Sequence, residues 1–226
     1  MGTVPNPPSR SVTSPNGDRP REPVWTQNLS AVSGRLYVRE MARQPRKQPE
    51  AEFHHITNRG ARRSDIYLDD WDRQTFLELL EGAHERYGSL VHAYALLGNH
   101  YHLIIQFPQR NMPKVMHWVG TCFTQKINRK YGYDGRLCKD RYFNSPIEDG
   151  DYFLTAARYV HRNPLDVGEK DLVGYNWSNF SDYVGTSEPP TWTRTDLVLG
   201  QFGNKPEVYR RFVELTLATD LRDLAS

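Results

Sequence analysis

The chain has 226 residues, of which 38% are hydrophobic and 25% charged, with a formal net charge of +2. This length and composition exclude a fibrous or membrane-spanning chain and predict one ordinary domain with appendages, or two small ones. The charge is unevenly distributed, because residues 110–141 carry eight basic and two acidic side chains, net +6. Such a segment is typical of a surface that contacts phosphate backbones, although a solvated helix face explains the charges alone equally well.

The first 50 residues are rich in Pro, Ser, Arg and Asn and have few periodic apolar positions. We therefore expect residues 1–50 to form a disordered or partly ordered basic arm. Cys122 and Cys138 belong to no Cys-x-x-Cys pair, which argues against a cysteine-rich zinc site and leaves a disulfide between them open. Because the sequence lacks the apolar core of a signal peptide, we expect a soluble, reduced, cytoplasmic protein without membrane contact.

The ordered part is predicted to begin near Glu52, with strands and helices in a mixed order. In chain order the patterns predict a strand at 53–57, a helix from 69 or 70 to 87, strands at 90–97 and 100–107 joined by a tight turn, a helix at 112–131, a strand at 141–147, and a helix from 149 or 151 to 163 that Pro164 ends. This order favours an α+β fold, an antiparallel sheet with helices packed against it. Two short helices, at 196–202 and 206–217, follow an aromatic stretch that packs back on the core, comprising Trp177, Phe180 and Tyr183.

Two histidines, His100 and His102, stand at the head of the apolar run that ends at Phe107. Side chains alternate between the two faces of a strand, so both imidazoles point the same way and Tyr101 points to the opposite face. Two convergent imidazoles are the start of a site for a divalent metal. A His-x-His pair alone also fits a structural role.

A tyrosine and an amide lie one helical turn apart in the last predicted helix of the core. Tyr159 and Asn163 are four residues apart, so they share a face of that helix. Combined with the histidine pair, they make a candidate site for phosphoryl transfer. His161 faces away from Tyr159 and is expected on the surface or in packing. His54 and His55 alternate faces, so one of them is a secondary candidate for the site, with packing the favoured role.

The basic segment supplies the candidate contacts with nucleic acid. Neutralising several phosphates makes affinity fall steeply with salt, and aromatic rings between the cations can stack on unpaired bases. The candidates are Lys126, Arg129, Lys130, Arg136, Lys139, Arg141 and Tyr142. Four other tyrosines are rivals to Tyr159 as a nucleophile, but none has a comparable amide partner: Tyr131, Tyr133, Tyr142 and Tyr152.

Several short motifs together resemble the IS200-type Y1 transposases, and most closely the REP-associated tyrosine transposases, which are HUH single-strand DNA nucleases. They stand in the family's order and cover about residues 52–185: Asn58-Arg59-Gly60, His92-Ala93-Tyr94, Asn99 to Leu103, Gly135-Arg136-Leu137, Arg141-Tyr142, Tyr159 to Pro164, and Trp177-Ser178. Two positions depart from the pattern, because Leu97-Gly98 replaces a Met-Pro pair and Tyr101 replaces a plain aliphatic residue between the histidines. The basic N-terminal arm is not part of the pattern.

The resemblance implies a ferredoxin-like core at residues 51–185 and a helical C-terminal extension at 186–226. It implies that His100, His102 and Asn163 hold Mg²⁺ or Mn²⁺ and that Tyr159 is the nucleophile. The implied reaction is metal-dependent cleavage and rejoining of single-stranded DNA beside a REP-like hairpin. We expect a monomer, with a homodimer left open. Two alternatives stay open. The first is a non-catalytic regulator that binds hairpins, and the second, less favoured, is a metal-dependent hydrolase in which the histidines activate water.

Overall fold

Four antiparallel strands form the sheet on which the fold is built, and they lie in the order β2-β3-β1-β4. The computed structural model describes residues 52–215, so the predictions for the N-terminal arm lie outside the described residues. The strands are β1 (Phe53–Arg59), β2 (Leu90–Leu97), β3 (His100–Gln106) and β4 (Phe143–Ile147). Gly98 and Asn99 connect β2 to β3 as the predicted two-residue turn, because Leu97 pairs with His100.

Two long helices connect these strands and confirm the predicted order. They are α1 (Asp70–Tyr87) and α2 (Met112–Tyr131), and a short 3-10 helix spans Ala61–Arg63. The Asp69 side chain accepts a hydrogen bond from the Asp72 backbone N–H in a reciprocal capping box, which fixes the start of α1. The order β1-α1-β2-β3-α2-β4 in an antiparallel sheet is the predicted α+β, ferredoxin-like arrangement.

The alternation of side chains along β3 separates two hydrophobic clusters, one on each face of the sheet. Tyr101, Leu103 and Ile105 pack with the buried sides of α1 and α2. Ile104 packs on the other face, with residues of α3 (Gly150–Asp166). His102 shares the parity of Ile104 and therefore lies on the α3 face. The sheet thus places one layer of helices away from the histidine pair and one layer over it.

The helix α3 begins as predicted but continues past Pro164. The Asp149 side chain accepts a hydrogen bond from the Asp151 backbone N–H and caps its first turn. The prediction that Pro164 ends the helix is wrong, because α3 runs to Asp166. Pro164 lies in the last turn, where its missing N–H removes the bond to the Val160 carbonyl, and the residue is buried. Burial of the residue offsets that loss.

The segment after α3 packs back on the sheet through three short helices: α4 (Phe180–Tyr183), α5 (Asp196–Gly200) and α6 (Pro206–Glu214). Phe180 and Tyr183 are fully buried, as predicted. Residues of α5 and α6 join the same hydrophobic cluster as α3, among them Val198, Tyr209 and Val213. The C-terminal helices therefore add to the layer that covers the α3 face of the sheet.

A buried polar network links α3 to this layer. His161 is fully buried rather than exposed, and its two ring nitrogens lie 2.7 Å from the Tyr209 hydroxyl and 3.0 Å from Asn179 Oδ1. Asn179 Oδ1 also accepts from the Tyr94 backbone N–H, and its Nδ2 donates to the His92 carbonyl. One amide therefore joins α3 to β2.

Replacing Asn179 with Ala is expected to reduce the free energy of unfolding by about 2–4 kcal/mol, because it leaves several buried groups without partners. Urea denaturation followed by circular dichroism measures the change. Gln74→Ala, at an exposed position of α1, is the control and is expected to change stability by less than about 0.5 kcal/mol. Equal stability of the two variants would contradict a structural role for the network.

Two remaining predictions concern the cysteines and the membrane. Cys122 and Cys138 are free thiols, so the disulfide left open by the sequence is not formed. Among residues 52–215, no helix has both the length and the apolar character needed to cross a membrane.

Candidate active site

The two histidines of β3 lie side by side on the face that α3 covers. The ring centroids of His100 and His102 are 5.2 Å apart. Tyr101 points to the opposite face, where its ring centroid is 4.8 Å from that of Phe76. The predicted convergence of the two imidazoles is therefore confirmed, and the Tyr in place of an aliphatic residue is accommodated as a core aromatic.

Helix α3 brings Tyr159 against this pair. The ring centroid of Tyr159 is 5.3 Å from that of His102, and 47% of the tyrosine is exposed to solvent. Asn163 lies one turn further along and is buried, with its Nδ2 donating to the Tyr159 carbonyl at 2.7 Å. This bond uses the nitrogen of the amide and leaves Oδ1 as the ligand atom of the side chain. Both residues come from the same chain as the histidines.

Two arginines that flank Tyr159 fix α3 to the end of α6. Arg158 Nε donates to the Phe212 carbonyl at 2.6 Å, and its Nη2 donates to the Leu215 carbonyl. Arg162 Nη1 also donates to the Leu215 carbonyl, at 3.1 Å. Cations at carbonyls of a helix C-terminus satisfy groups that lack intrahelical partners. The C-terminal helix thereby orients the helix that carries the tyrosine.

A third histidine, His55, completes the group of rings. Its Nε2 lies 3.1 Å from His102 Nδ1, and the two rings are stacked with centroids 5.4 Å apart. Its centroid is also 5.9 Å from that of Tyr159. The sequence named His54 and His55 only as secondary candidates, and the register decides between them. Thr57 pairs with His102, so His55 shares the face of the histidine pair, whereas His54 packs on Phe107.

Burial keeps these imidazoles neutral. Burial, together with the neighbouring His55, His100 and Arg59, lowers the pKa of His102 to about 3. Burial also lowers the pKa of His55 and, together with Arg59, that of His100. Neutral imidazoles carry the lone pairs that metal coordination requires.

The donor chemistry of the site fits a divalent cation that accepts imidazole nitrogen. In the stretch from 52 to 215, no group of three or more His, Cys, Asp or Glu side chains is arranged to hold a metal ion. The expected set is instead two imidazoles and one amide. His100 Nδ1 lies 2.6 Å from Asn99 Oδ1, which accepts only if Nδ1 carries the proton, and this leaves Nε2 free for a metal. Such a set suits Mn²⁺ more readily than Mg²⁺.

The residues predicted to contact nucleic acid lie on different faces of the sheet. Lys139 and Arg141 line a cavity of about 250 Å³ that also borders both histidines. Lys126 and Arg129 are exposed on α2, which packs on the other face of the sheet, and Arg136 is exposed in the loop after it. The structure therefore brings only part of the basic segment to the histidines.

Two other candidates, Lys130 and Tyr142, have their charge or ring engaged within the chain. Lys130 Nζ lies 2.7 Å from Asp69 and 2.8 Å from Asp72, so its charge is already paired within the chain. Tyr142 is only 8% exposed and belongs to the cluster under α1 and α2, which removes its ring from unpaired bases. Three residues that the sequence did not predict as nucleic-acid contacts also line the cavity: Thr57, Asn58 and Arg59.

Comparison with known proteins assigns the family. A family described as "Transposase IS200 like" (Y1_Tnp) matches residues 49–163, just over half of the chain. The chain belongs to the IS200-like Y1 transposases. Its Tyr159, both histidines and Asn163 all lie within the matched residues. A comparison with curated proteins finds no match.

Two solved structures are similar to this transposase. One is a REP-associated tyrosine transposase bound to a REP hairpin, with 16% identity and a TM-score of 0.49, covering 70% of this chain and 93% of that one. The other is a protein assigned as a transposase from Deinococcus radiodurans R1, with 12% identity and a TM-score of 0.37, covering 57% of this chain and 100% of that one.

Proposed function

We propose that this transposase cleaves and rejoins single-stranded DNA beside a hairpin, with Tyr159 as the nucleophile. The observation that carries the proposal is the contact of the half-exposed Tyr159 ring with the buried His102 ring within one chain. Tyr183 and Tyr209, which pack in the core, are by contrast fully buried. The meeting of Tyr159 with the histidine pair within one chain also supports action as a monomer.

The chemistry assigned to Tyr159 is a transesterification. Its phenolic oxygen attacks the phosphorus and loses its proton to solvent, while the bond from phosphorus to the 3′-oxygen breaks and that oxygen takes up a proton. The products are a 5′-phosphotyrosine and a free 3′-hydroxyl. A second 3′-hydroxyl reverses the step, so rejoining requires no nucleotide triphosphate.

His100, His102 and Asn163 are the residues that we assign to a bound Mn²⁺ or Mg²⁺. Such a cation would offset the charge that develops on the phosphate oxygens and orient the ester. The neutral imidazoles and the free amide oxygen of Asn163 support this assignment. His55 is assigned as a positioning residue, because His102 binds a metal through Nε2 only when its Nδ1 carries the proton and donates to His55.

Replacing His55 with Phe is expected to weaken Mn²⁺ binding about 10- to 100-fold, since it keeps a stacked ring but removes the acceptor for His102. Isothermal titration calorimetry with Mn²⁺ and no DNA measures the change. His117→Phe makes the same substitution at an exposed histidine of α2 and is expected to bind Mn²⁺ as the native protein does. Native Mn²⁺ affinity in His55→Phe would show that His55 does not position His102 for metal binding.

The substrate surface is assigned to the cations that the structure leaves exposed. Lys139 and Arg141 border the cavity at the histidines, and Lys126, Arg129 and Arg136 are candidates for the hairpin phosphates. The hairpin as substrate rests on the family and on this basic segment.

The test is covalent trapping on a panel of hairpins with single-stranded flanks, taken from repeats of the host genome. Each hairpin is labelled at either the 3′ or the 5′ end, incubated with Mn²⁺ or Mg²⁺, and run on a denaturing protein gel. We expect protein-sized signal from the 3′ label alone, because the 5′-phosphate joins the tyrosine, and none in EDTA. A retained gel shift without adduct on every hairpin would instead support a binding regulator.

A further inference from the structure

The cavity beside the histidines has an aromatic wall that the proposed reaction does not use. Phe143, the first residue of β4, is 67% exposed and lines this cavity together with His100 and His102. The register places Phe143 opposite Thr57, and Thr57 opposite His102. Neighbouring strands are about 4.8 Å apart, so Phe143 lies about 10 Å from His102 in the same cross-strand row.

The charges around this row favour an anionic ligand. Arg59, Lys139 and Arg141 line the cavity, whereas Asp140 is the one acidic residue among the lining side chains. A backbone hydrogen bond joins the segments that carry two of these cations, because the Lys139 N–H donates to the Arg59 carbonyl at 3.0 Å. The backbone N–H of Arg59 in turn donates to Asn58 Oδ1 at 2.9 Å.

The size of the cavity restricts what can enter. Its volume of about 250 Å³ is below the ~300–1,000 Å³ of sites for drug-sized molecules. A single nucleobase fits such a space, and an exposed aromatic ring is the surface on which unpaired bases stack. A site for inorganic phosphate alone would not need the ring.

We propose that this cavity is a nucleotide subsite, in which Phe143 stacks on one unpaired base while Arg59, Lys139 and Arg141 contact the adjoining phosphates. The inference rests on the proposed function, since it takes single-stranded DNA as the substrate. Because every base has a π-face, stacking on Phe143 binds a nucleotide without selectivity for its base. The subsite therefore holds the strand next to the histidines, and sequence choice is made elsewhere.

Binding is tested in EDTA, so the result does not depend on catalysis. The probe is a fluorescein-labelled oligodeoxythymidylate in which 5-iodouracil replaces some thymines. Fluorescence anisotropy is expected to show about 5- to 100-fold weaker binding for Phe143→Leu. Irradiation followed by mass spectrometry is expected to find the cross-link on Phe143. The ring is exposed, so the variant is expected to keep its melting temperature.

Tyr152→Leu is the matched control, because Tyr152 is an exposed aromatic near the other end of β4. It is expected to bind the probe as the native protein does. Native affinity in Phe143→Leu, or cross-links that fall only on other residues, would overturn the subsite. Weaker binding in Arg141→Ala with native binding in Phe143→Leu would also overturn it, by leaving a phosphate contact without base stacking. The covalent-trapping assay on the same proteins reports separately on the proposed function.

Discussion

Replacing Tyr159 with Phe is expected to abolish the covalent protein–DNA adduct and to reduce cleavage by about 10⁴-fold or more, the usual scale for loss of a nucleophile. The substitution keeps the ring that contacts His102 and His55, at 5.3 Å and 5.9 Å, and removes only the attacking oxygen. DNA affinity is therefore expected to stay at the native level. Covalent trapping with the 3′-labelled hairpin measures the adduct, and a gel shift in EDTA measures binding.

Tyr152→Phe is the control for this experiment, because it removes the hydroxyl of another exposed tyrosine on the same helix. It is expected to leave the adduct unchanged. An adduct that persists in Tyr159→Phe would move the nucleophile to another tyrosine. The surroundings weaken two of those rivals, since Tyr142 is buried and the Tyr131 hydroxyl donates to Asp72 at 2.9 Å. Cleavage without any adduct would support a hydrolase.

The local periodicity of the sequence was sufficient to predict much of the fold and part of the site. The helix at 112–131 was predictable because its apolar stripe repeats at helical spacing, and the four residues of that stripe are buried: Met116, Val119, Phe123 and Ile127. The convergence of His100 and His102 was predictable because a strand repeats every two residues. Such features depend only on near neighbours in the sequence.

The features that the sequence left undecided or did not predict depend on contacts between distant residues. His55 reaches His102 across 47 residues, and only the register of β1 against β3 places it there. Lys130 pairs with Asp69 across 61 residues, which the local run of positive charge does not reveal. Pro164 stays helical because its burial against the rest of the fold offsets one lost hydrogen bond. In each case a contact between distant residues, which local sequence patterns do not reveal, determines the outcome.

Replacing His102 with Ala is expected to weaken Mn²⁺ binding by more than 100-fold and to remove the adduct with either metal. It deletes one of the two proposed imidazole ligands and leaves His55 without its partner. A bound ligand raises the free energy of unfolding by about 2.7 kcal/mol at 100 times its dissociation constant. Native protein should therefore melt at a higher temperature in Mn²⁺ than in EDTA. The His102→Ala variant should have the same melting temperature in Mn²⁺ as in EDTA.

Comparing the melting temperature in Mn²⁺ with that in EDTA distinguishes the loss of a metal ligand from a general destabilisation of the core. His102 is only 7% exposed, so its removal lowers the melting temperature in EDTA as well, and that loss alone says nothing about metal. The deciding quantity is the rise in melting temperature on adding Mn²⁺. His117→Ala, at an exposed position of α2, is expected to keep that rise in full. A full rise in His102→Ala would show that the cation binds elsewhere, and the histidine pair would then be structural.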